Sequence, residues 1–386
     1  MNKTRIGIIG AGFVGLGVAM RIAARHPNAE ITLISPDPTF FFTPRLIDLL
    51  RKGVEQKQSF EIDLQSHAAK HGYRFLEDVA VSIDRQNKTI QFKQTIPFSY
   101  DVLVVASGAR SFTSQIPGAQ RFTFPIKTPS DVEHLHHRIR AQIDKAKKST
   151  HEEEQKLLLS ISAIGAGAAG VESICAVQDF CIHELHKQAP ELLPLLSLTL
   201  IQGSPQILPG FSEKIVQRVA QRLAKRKIRV LTGLPVTTIT DVSVVIDPSH
   251  SLASSISIWT AGIEPASVPI TPETLRDRSG GYEVTPTLQI DDSIFAAGDV
   301  ISYHEKNVTI PKNAQTAMNM SRTIADNICH MMKGHSLEPF HYVPKGNIID
   351  LGGVGYLEIG PFVIETRFAN TLRNLFYRAR QRQLAG

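Results

Sequence analysis

The chain has 386 residues, a net charge of +6 and 42% hydrophobic residues, which suits two or three domains with ordinary cores. No run approaches the ~20 apolar residues of a membrane-spanning helix, and the three cysteines at 175, 181 and 329 form neither a Cys-x-x-Cys pair nor a disulfide framework, so each is expected as a buried hydrophobe on a helix. The mild basicity could suit nucleotides or an anionic surface, but no aromatic-interleaved basic stripe accompanies it, and nucleic acid is not expected as a partner.

The first residues enter a strand at once, with no apolar signal region, so a cytoplasmic location is expected. Arg5-Ile6-Gly7-Ile8-Ile9 reads as a buried parallel strand. Gly10-Ala11-Gly12-Phe13-Val14-Gly15 follows and opens a helix through Arg25, and Ile31–Ile34 is the next strand. Residues 39–70 read as loop and short helix, broken at the start by Pro36, Pro38 and Pro44. Tyr100–Ala106 is another buried strand, closed by Ser107-Gly108. Residues 129–147 form a polar helix carrying His134, His136 and His137. No Cys or carboxylate set at ligand spacing joins them, so a solvated face is expected and a metal is not.

Then the opening pattern returns. Leu157–Ile164 is an apolar strand, Gly165-Ala166-Gly167-Ala168-Ala169-Gly170 follows, Leu198–Ile201 is a strand, and Ile256–Trp259 leads into Thr260-Ala261-Gly262. The chain thus repeats strand, glycine turn, helix, strand. Each Gly-x-Gly-x-x-Gly follows an apolar strand and opens a helix, which is the context of a dinucleotide turn. The first glycine permits the tight turn, the second lets backbone approach a pyrophosphate, and the third lets helix pack on strand. The helix N-terminus supplies free N–H donors and partial positive charge. Two such units imply two dinucleotides, or one nucleotide and an unused site.

The ribose contact is expected about 20 residues after the turn, at the end of the second strand. That position is Ser35, with Asp37 as a substitute. In the second unit it is Gln202. Gln202 neither repels a 2′-phosphate nor binds it, and no Lys or Arg follows closely, so NADH is favoured over NADPH. After about residue 285 the chain changes. Thr287–Ile290 and Ile294–Asp299 read as strands ending in an acidic turn, 312–333 as a helix, 340–365 as a small sheet and 366–384 as an amphipathic helix.

These residues resemble the two-dinucleotide-binding flavoproteins, and within them the type II NADH:quinone oxidoreductases and the ferroptosis-suppressor-like quinone reductases, over nearly the whole chain. Val104-Val105-Ala106-Ser107-Gly108-Ala109 is similar to the family's Ala-Thr-Gly segment. Ile294-Phe295-Ala296-Ala297-Gly298-Asp299-Val300 resembles its acidic FAD motif. The resemblance implies FAD on the first unit, with Gly298 and Asp299 at the ribityl chain, and NADH on the second. Ile164–Glu172 resembles Gly-Gly-Gly-x-x-Gly-x-Glu, which implies a place for Glu172 near the nicotinamide, in NADH placement or proton coupling. A carboxylate that merely complements the helix dipole is the alternative. Trp259-Thr260-Ala261-Gly262 also matches. Gly262 would admit the nicotinamide, and Trp259 is expected in the core.

Ala314-Gln315-Thr316-Ala317-Met318-Asn319 resembles the family's Ala-Gln-x-Ala-x-Gln quinone-site helix, with Asn319 in place of the second Gln. Gln315 and Asn319 share a helix face. Lys345-Gly346 resembles a Lys-Gly pair at the same pocket, and Phe42-Thr43-Pro44 a flavin-side Phe-x-Pro, with Arg45 where the family often has an apolar residue. The cysteines match no disulfide- or sulfide-reducing site.

The implied fold is α/β: two Rossmann-like dinucleotide-binding domains, the FAD domain discontinuous, plus a small C-terminal membrane-associating region. The expected boundaries are 1–125 and 285–335 for the FAD domain, 126–284 for the NAD(P)H domain and 336–386 for the C-terminal region. The implied activity passes hydride from NADH to FAD and electrons on to a quinone, without proton pumping. A soluble reductase of a small redox protein and a slowly cycling NADH-sensing flavoprotein remain as alternatives. Residues 366–386 carry five arginines and no acid, and Phe368, Leu372, Leu375, Phe376 and Ala379 fall on one helix face. Such a segment reads as membrane-surface binding, which would attach the protein to the inner face of the cell membrane. Packing of that face on the protein or on a second subunit, as in a homodimer, stays open.

Overall fold

The apolar runs form the strands they predict. In this computed structural model, which describes residues 3–55, 57–305, 308–343, 346–360, 362–366, 373, 377, 378, 381 and 384, β1 (Arg5–Ile9) is buried at four of its five positions. Helix α1 (Phe13–Arg25) follows, then β2 (Glu30–Ser35), α2 (Leu46–Lys52), β3 (Arg74–Glu77) and β4 (Val102–Val105). β1 pairs in parallel with β2 on one side and β4 on the other. A strand flanked on both sides and covered on both faces needs apolar residues throughout, and Ile6, Ile8, Leu33 and Val104 are fully buried.

A short strand β5 (Thr123–Pro125) and helix α3 (Pro129–Lys148) lead into the second unit. It contains β6 (Ser160–Ile164), α4 (Ala168–Gln188), β7 (Ser197–Gln202), α5 (Glu213–Lys225), β8 (Arg229–Thr232) and β9 (Ile256–Trp259). These strands make a parallel sheet in the order β5-β9-β6-β7-β8. The chain then returns to the first sheet with β10 (Gln289–Asp291) and β11 (Ile294–Ala296), giving the order β10-β11-β4-β1-β2-β3. Helix α6 (Ala314–Met332) packs along α1. A three-stranded antiparallel sheet follows: β12 (Asn347–Asp350), β13 (Gly355–Ile359) and β14 (Phe362–Thr366).

Two expectations need correcting. Residues 39–70, expected as loop and short helix, also hold a strand pair. Thr39–Phe41 and Glu61–Asp63 pair antiparallel, and Leu64–His71 is a helix capped by Asp63. The histidine helix is not a uniformly solvated face. α3 starts with a capping box between Thr128 and Asp131 and buries Val132, Leu135, His136, Ile139 and Ile143. The His136 ring stacks on Phe180 of α4 at 3.7 Å, and its Nε2 donates to the Leu50 carbonyl of α2 at 3.0 Å. Its aromatic body fills the core while one polar edge is satisfied, and burial lowers its pKa. His134 and His137 are exposed. All three cysteines are free and buried, as expected.

Two candidate dinucleotide clefts and a buried charge cluster

The first glycine turn is built by collision limits. Gly10 has φ +98°, and a Cβ there would lie 2.2 Å from the Ala106 carbonyl oxygen. A Cβ on Gly15 would lie 1.8 Å from the Gly10 carbonyl oxygen. Gly15 therefore packs helix on turn and does not line the cleft, whereas a Cβ on Gly12 would meet only open space. Gly12 caps α1 with no side-chain hydrogen bond, and no acidic residue occupies the first turn. The N–H donors of α1 thus face a cavity of about 660 Å³ at the C-terminal ends of β1, β2, β4 and β11. This is the usual location for a ligand of an open parallel sheet.

That cavity gathers Gly10, Gly12, Ser35, Ala106, Ser107, Gly108, Gly298 and Asp299. Pro44 is not among its lining residues, although Thr43 is. Ser107 Oγ is buried without a hydrogen-bond partner among the described residues. Ser35 Oγ accepts the backbone N–H of Asp37, and Asp37 also lines the cavity. Burial raises the pKa of Asp299, and the Lys312 and Lys127 ammonium groups pull it back. Lys312 Nζ donates to the Asp299 carbonyl at 2.9 Å. Lys127 Nζ donates to the Ala109 carbonyl at 2.9 Å, and burial lowers its pKa. Donors at a helix start, an orphaned hydroxyl and a partly buried carboxylate fit a phosphate-bearing, hydroxyl-rich ligand such as FAD. Lys127 and Lys312 escaped the sequence reading because only the tertiary fold brings them to Asp299.

The second turn repeats the design. Gly165 has φ +100°, and a Cβ on Gly170 would lie 1.9 Å from the Gly165 carbonyl oxygen. A cavity of about 450 Å³ is lined by Gly165, Gly167, Gln202, Trp259 and Gly262, among others, and among the described residues none lining it is charged. Trp259 is buried, as expected, and also forms part of the wall. Gln202 is already engaged: its Oε1 accepts the Ala166 backbone N–H at 2.7 Å, and its Nε2 donates to Ser204 Oγ at 2.6 Å.

Beside the first cavity, Phe13 meets Phe40 and Phe42 edge-on at 5.3 Å each. Tyr377 of the C-terminal segment sits 5.4 Å from Phe42. Arg45 is buried at 4% exposure, with its guanidinium 5.0 Å from the Phe60 ring centroid and 5.2 Å from that of Tyr377, and it pairs with Asp48 at 3.0 Å. Those two rings and one carboxylate let a charge stand where an apolar residue was expected. Gln315 is partly exposed in the first turn of α6. Asn319 lines a separate cavity of about 210 Å³ between α1 and α6, with Met20, Arg21 and Leu384. Lys345 lies outside the described residues.

Glu172 lines neither cleft. Its Oε1 accepts the Asp350 backbone N–H at 2.8 Å and lies 3.9 Å from Arg373 Nη1. Arg373 is 1% exposed and pairs with Asp350 at 2.9 Å and Asp48 at 2.5 Å. Arg51 pairs with Asp350 at 2.9 Å and Asp179 at 3.0 Å, and Arg226 also pairs with Asp179. Burial pushes the Glu172 carboxyl up to about 7, opposed by the nearby Arg373 charge. The cluster joins α2, α4, β12 and the C-terminal segment. One of the five tail arginines is thus withdrawn into the protein. Phe368, Leu372, Leu375, Phe376 and Ala379 lie outside the described residues. Among the described residues, no helix is long and apolar enough to cross a membrane, and no group of side chains could hold a metal ion.

Comparison with known proteins agrees with this architecture. Residues 4–321 match the family model described as pyridine nucleotide-disulphide oxidoreductase. The chain is 27% identical over 367 residues to a type II NADH:quinone oxidoreductase of Staphylococcus aureus (strain NCTC 8325), covering 92% of this chain and 90% of the relative. Among solved structures it resembles NDH2 from Plasmodium falciparum in complex with NADH, with a TM-score of 0.88, 18% identity and coverage of 97% and 94%. It also resembles the sulfide:quinone oxidoreductase of Aquifex aeolicus, with a TM-score of 0.81, 18% identity and coverage of 99% and 91%.

Proposed function

The chain belongs to the pyridine nucleotide-disulphide oxidoreductase family, and from that premise we propose that it is an FAD-dependent NADH:quinone oxidoreductase. The observation that carries this reading is the pair of glycine-turn clefts at the parallel strands of two separate sheets, the first closed by Asp299. The curated relative of similar length is named for the same reaction. The cysteines are buried on helices with thiols raised to about 12 at Cys175 and further still at Cys181, which does not suit thiolate chemistry.

Bound FAD supplies the hydride acceptor and the two-electron donor. The residues do the rest. The N–H groups of α1 and the Gly12 backbone hold the pyrophosphate, Ser35 or Asp37 the adenosine ribose, and Asp299 the ribityl hydroxyls. Gly108 and Ser107 flank the flavin side of the cleft, and Lys312 and Lys127 temper the partly buried charge of Asp299. In the second unit Gly167 approaches the NADH pyrophosphate and Gly262 leaves room for the nicotinamide. Gln202 braces the turn, and the uncharged wall favours NADH over NADPH. Gln315, Asn319 and Lys345 are assigned to the acceptor side. Glu172 acts from the charge cluster as a positioning residue.

The test is to purify the protein with its cofactor, reduce it anaerobically with NADH and add a soluble quinone while following the visible flavin band. Bleaching by NADH and recovery with quinone is expected. Absence of flavin, or bleaching that quinone does not reverse, overturns the reading.

A further inference from the structure

Lys127 belongs to the second unit and reaches toward the first. It stands between β5 and α3, where Asp131 Oδ2 accepts its backbone N–H at 2.9 Å. Its side chain meets the ribbon that joins the two units. In that ribbon Ala109–Ser111 and Ile263–Pro265 pair antiparallel, with Ala109 opposite Pro265. The ribbon also links the two clefts. Gly108 and Ala266 at its near end line the first cavity, and Gly262 at its far end lines the second. Ala266 and Gly262 are separated by about 13 Å of extended chain. A ring in the first cavity that takes hydride from the second cleft therefore lies at the Gly108 end.

At that end Lys127 Nζ donates to the Ala109 carbonyl at 2.9 Å, a neutral acceptor next to Gly108. The ammonium makes no ion pair among the described residues. The acids around it are engaged elsewhere. Glu264 pairs with Arg110 at 2.6 Å, Asp131 accepts the Lys127 and Thr128 backbone N–H groups at the start of α3, and Asp299 also faces Lys312. Lys312 is exposed and so screened by solvent, whereas Lys127 is half-buried. A half-buried cation with no direct counter-ion is costly, and burial already loosens its proton. The proposed reaction supplies the missing charge. Hydride brings two electrons and one proton, so the bound FAD gains one negative charge as NADH becomes NAD⁺. Passing both electrons and that proton to the quinone, with a second proton from water, removes it again. We infer that Lys127 is the fixed charge that stabilises the reduced cofactor and so sets the reduction potential of the bound FAD. This rests on the proposed FAD site and assigns it a residue that acts through its field, the Ala109 carbonyl serving to hold the ammonium in place.

The test is reductive titration of the FAD-loaded protein with dithionite against a reference dye, which involves neither NADH nor quinone. Lys127→Met should shift the two-electron equilibrium toward the oxidised cofactor by about tenfold, or about 30 mV. Lys127→Gln keeps a donor for the Ala109 carbonyl without the charge and should shift it as far. Lys127→Arg keeps the charge and should stay close to wild type. In a second measurement, sulfite is the probe. It bonds to the flavin through its sulfur lone pair and leaves a negative charge on the ring, so it should bind the Met and Gln variants about tenfold more weakly. Unchanged potentials in both variants with FAD retained overturn the inference. So does a wild-type potential in Lys127→Gln alone, which would make the hydrogen bond to Ala109 the operative contact. If Lys127→Met sheds FAD, the Gln and Arg variants decide in the same way, and equal potentials overturn the inference. Wild-type protein that holds no FAD would overturn the proposed reaction and this inference with it. An intact NADH–quinone cycle with a potential indifferent to Lys127 would overturn this inference alone.

Discussion

Gln202 Oε1 accepts the backbone N–H of Ala166 at 2.7 Å, so the side chain expected at a ribose already holds the glycine turn in place. Replacing Gln202 with Leu leaves that N–H without its partner, at a cost of about 1–3 kcal/mol. The expected result is a rise of about tenfold in the KM for NADH with FAD content unchanged, read by steady-state kinetics and by the flavin-to-protein absorbance ratio. An unchanged KM would show that the turn does not need the brace.

The wall of the second cleft holds no charged residue among those described. NADPH should therefore bind more weakly than NADH. Ser204→Arg, beside Gln202, would put a guanidinium where a 2′-phosphate can meet it. The ratio of kcat/KM for NADPH over NADH should rise by about tenfold or more, and a fixed ratio would move the 2′-position elsewhere.

Gly15→Ala places a methyl group 1.8 Å from the Gly10 carbonyl oxygen, a contact that only backbone movement relieves. A loss of about 2–4 kcal/mol of stability is expected, as for other overpacked or strained positions, together with loss of FAD on gel filtration. Gly12→Ala meets no protein atom. It should keep the melting temperature of the apoprotein while weakening FAD retention, so the pair separates packing from cofactor approach.

Glu172 sits at about 7 when folded, against 4.5 ordinarily, mainly through burial. Between those values the folded chain holds a proton that the unfolded chain has released. Stability therefore falls as pH rises through this window and levels off above it. Glu172→Gln keeps an acceptor for the Asp350 N–H and removes the slope. Its stability relative to wild type should rise between pH 5 and pH 8, on the order of 1–3 kcal/mol. Parallel pH profiles from chemical denaturation would refute this.

Arg373→Met strips a buried cation from Asp48 and Asp350. Breaking one side of such a cluster costs about 3–5 kcal/mol because it leaves charge unpaired. The C-terminal segment should become the first site of limited proteolysis, and Arg373→Lys should only partly restore resistance. Equal digestion of variant and wild type would mean that other contacts hold the segment.

The doubled glycine turn, its strands and the acidic turn at Asp299 were legible because they are local: an apolar run and a glycine pattern specify both the element and the direction of its N–H groups. His136 was misread because a histidine in a polar helix signals exposure, and only the Phe180 ring and the Leu50 carbonyl reverse that. Arg45 was recognised as odd, but of its two aromatic neighbours Tyr377 comes from the far end of the chain and Phe60 from beyond α2. Glu172 was recognised by motif, yet its partners Asp350 and Arg373 lie far along the sequence, and no spacing rule reaches them.

The first sheet takes β10 and β11 from residues made only after the whole second unit. On a ribosome, β4 therefore waits for its neighbour while some 190 residues are synthesised, roughly ten to forty seconds at ordinary rates. The second sheet is contiguous in sequence and can close during that interval. The half that folds last is thus the one begun first, and FAD can be captured only near the end of translation. A chain truncated after residue 284 should retain a folded second unit and release unsatisfied strand edges from the first, making aggregation rather than inactivity the signature of an incomplete product.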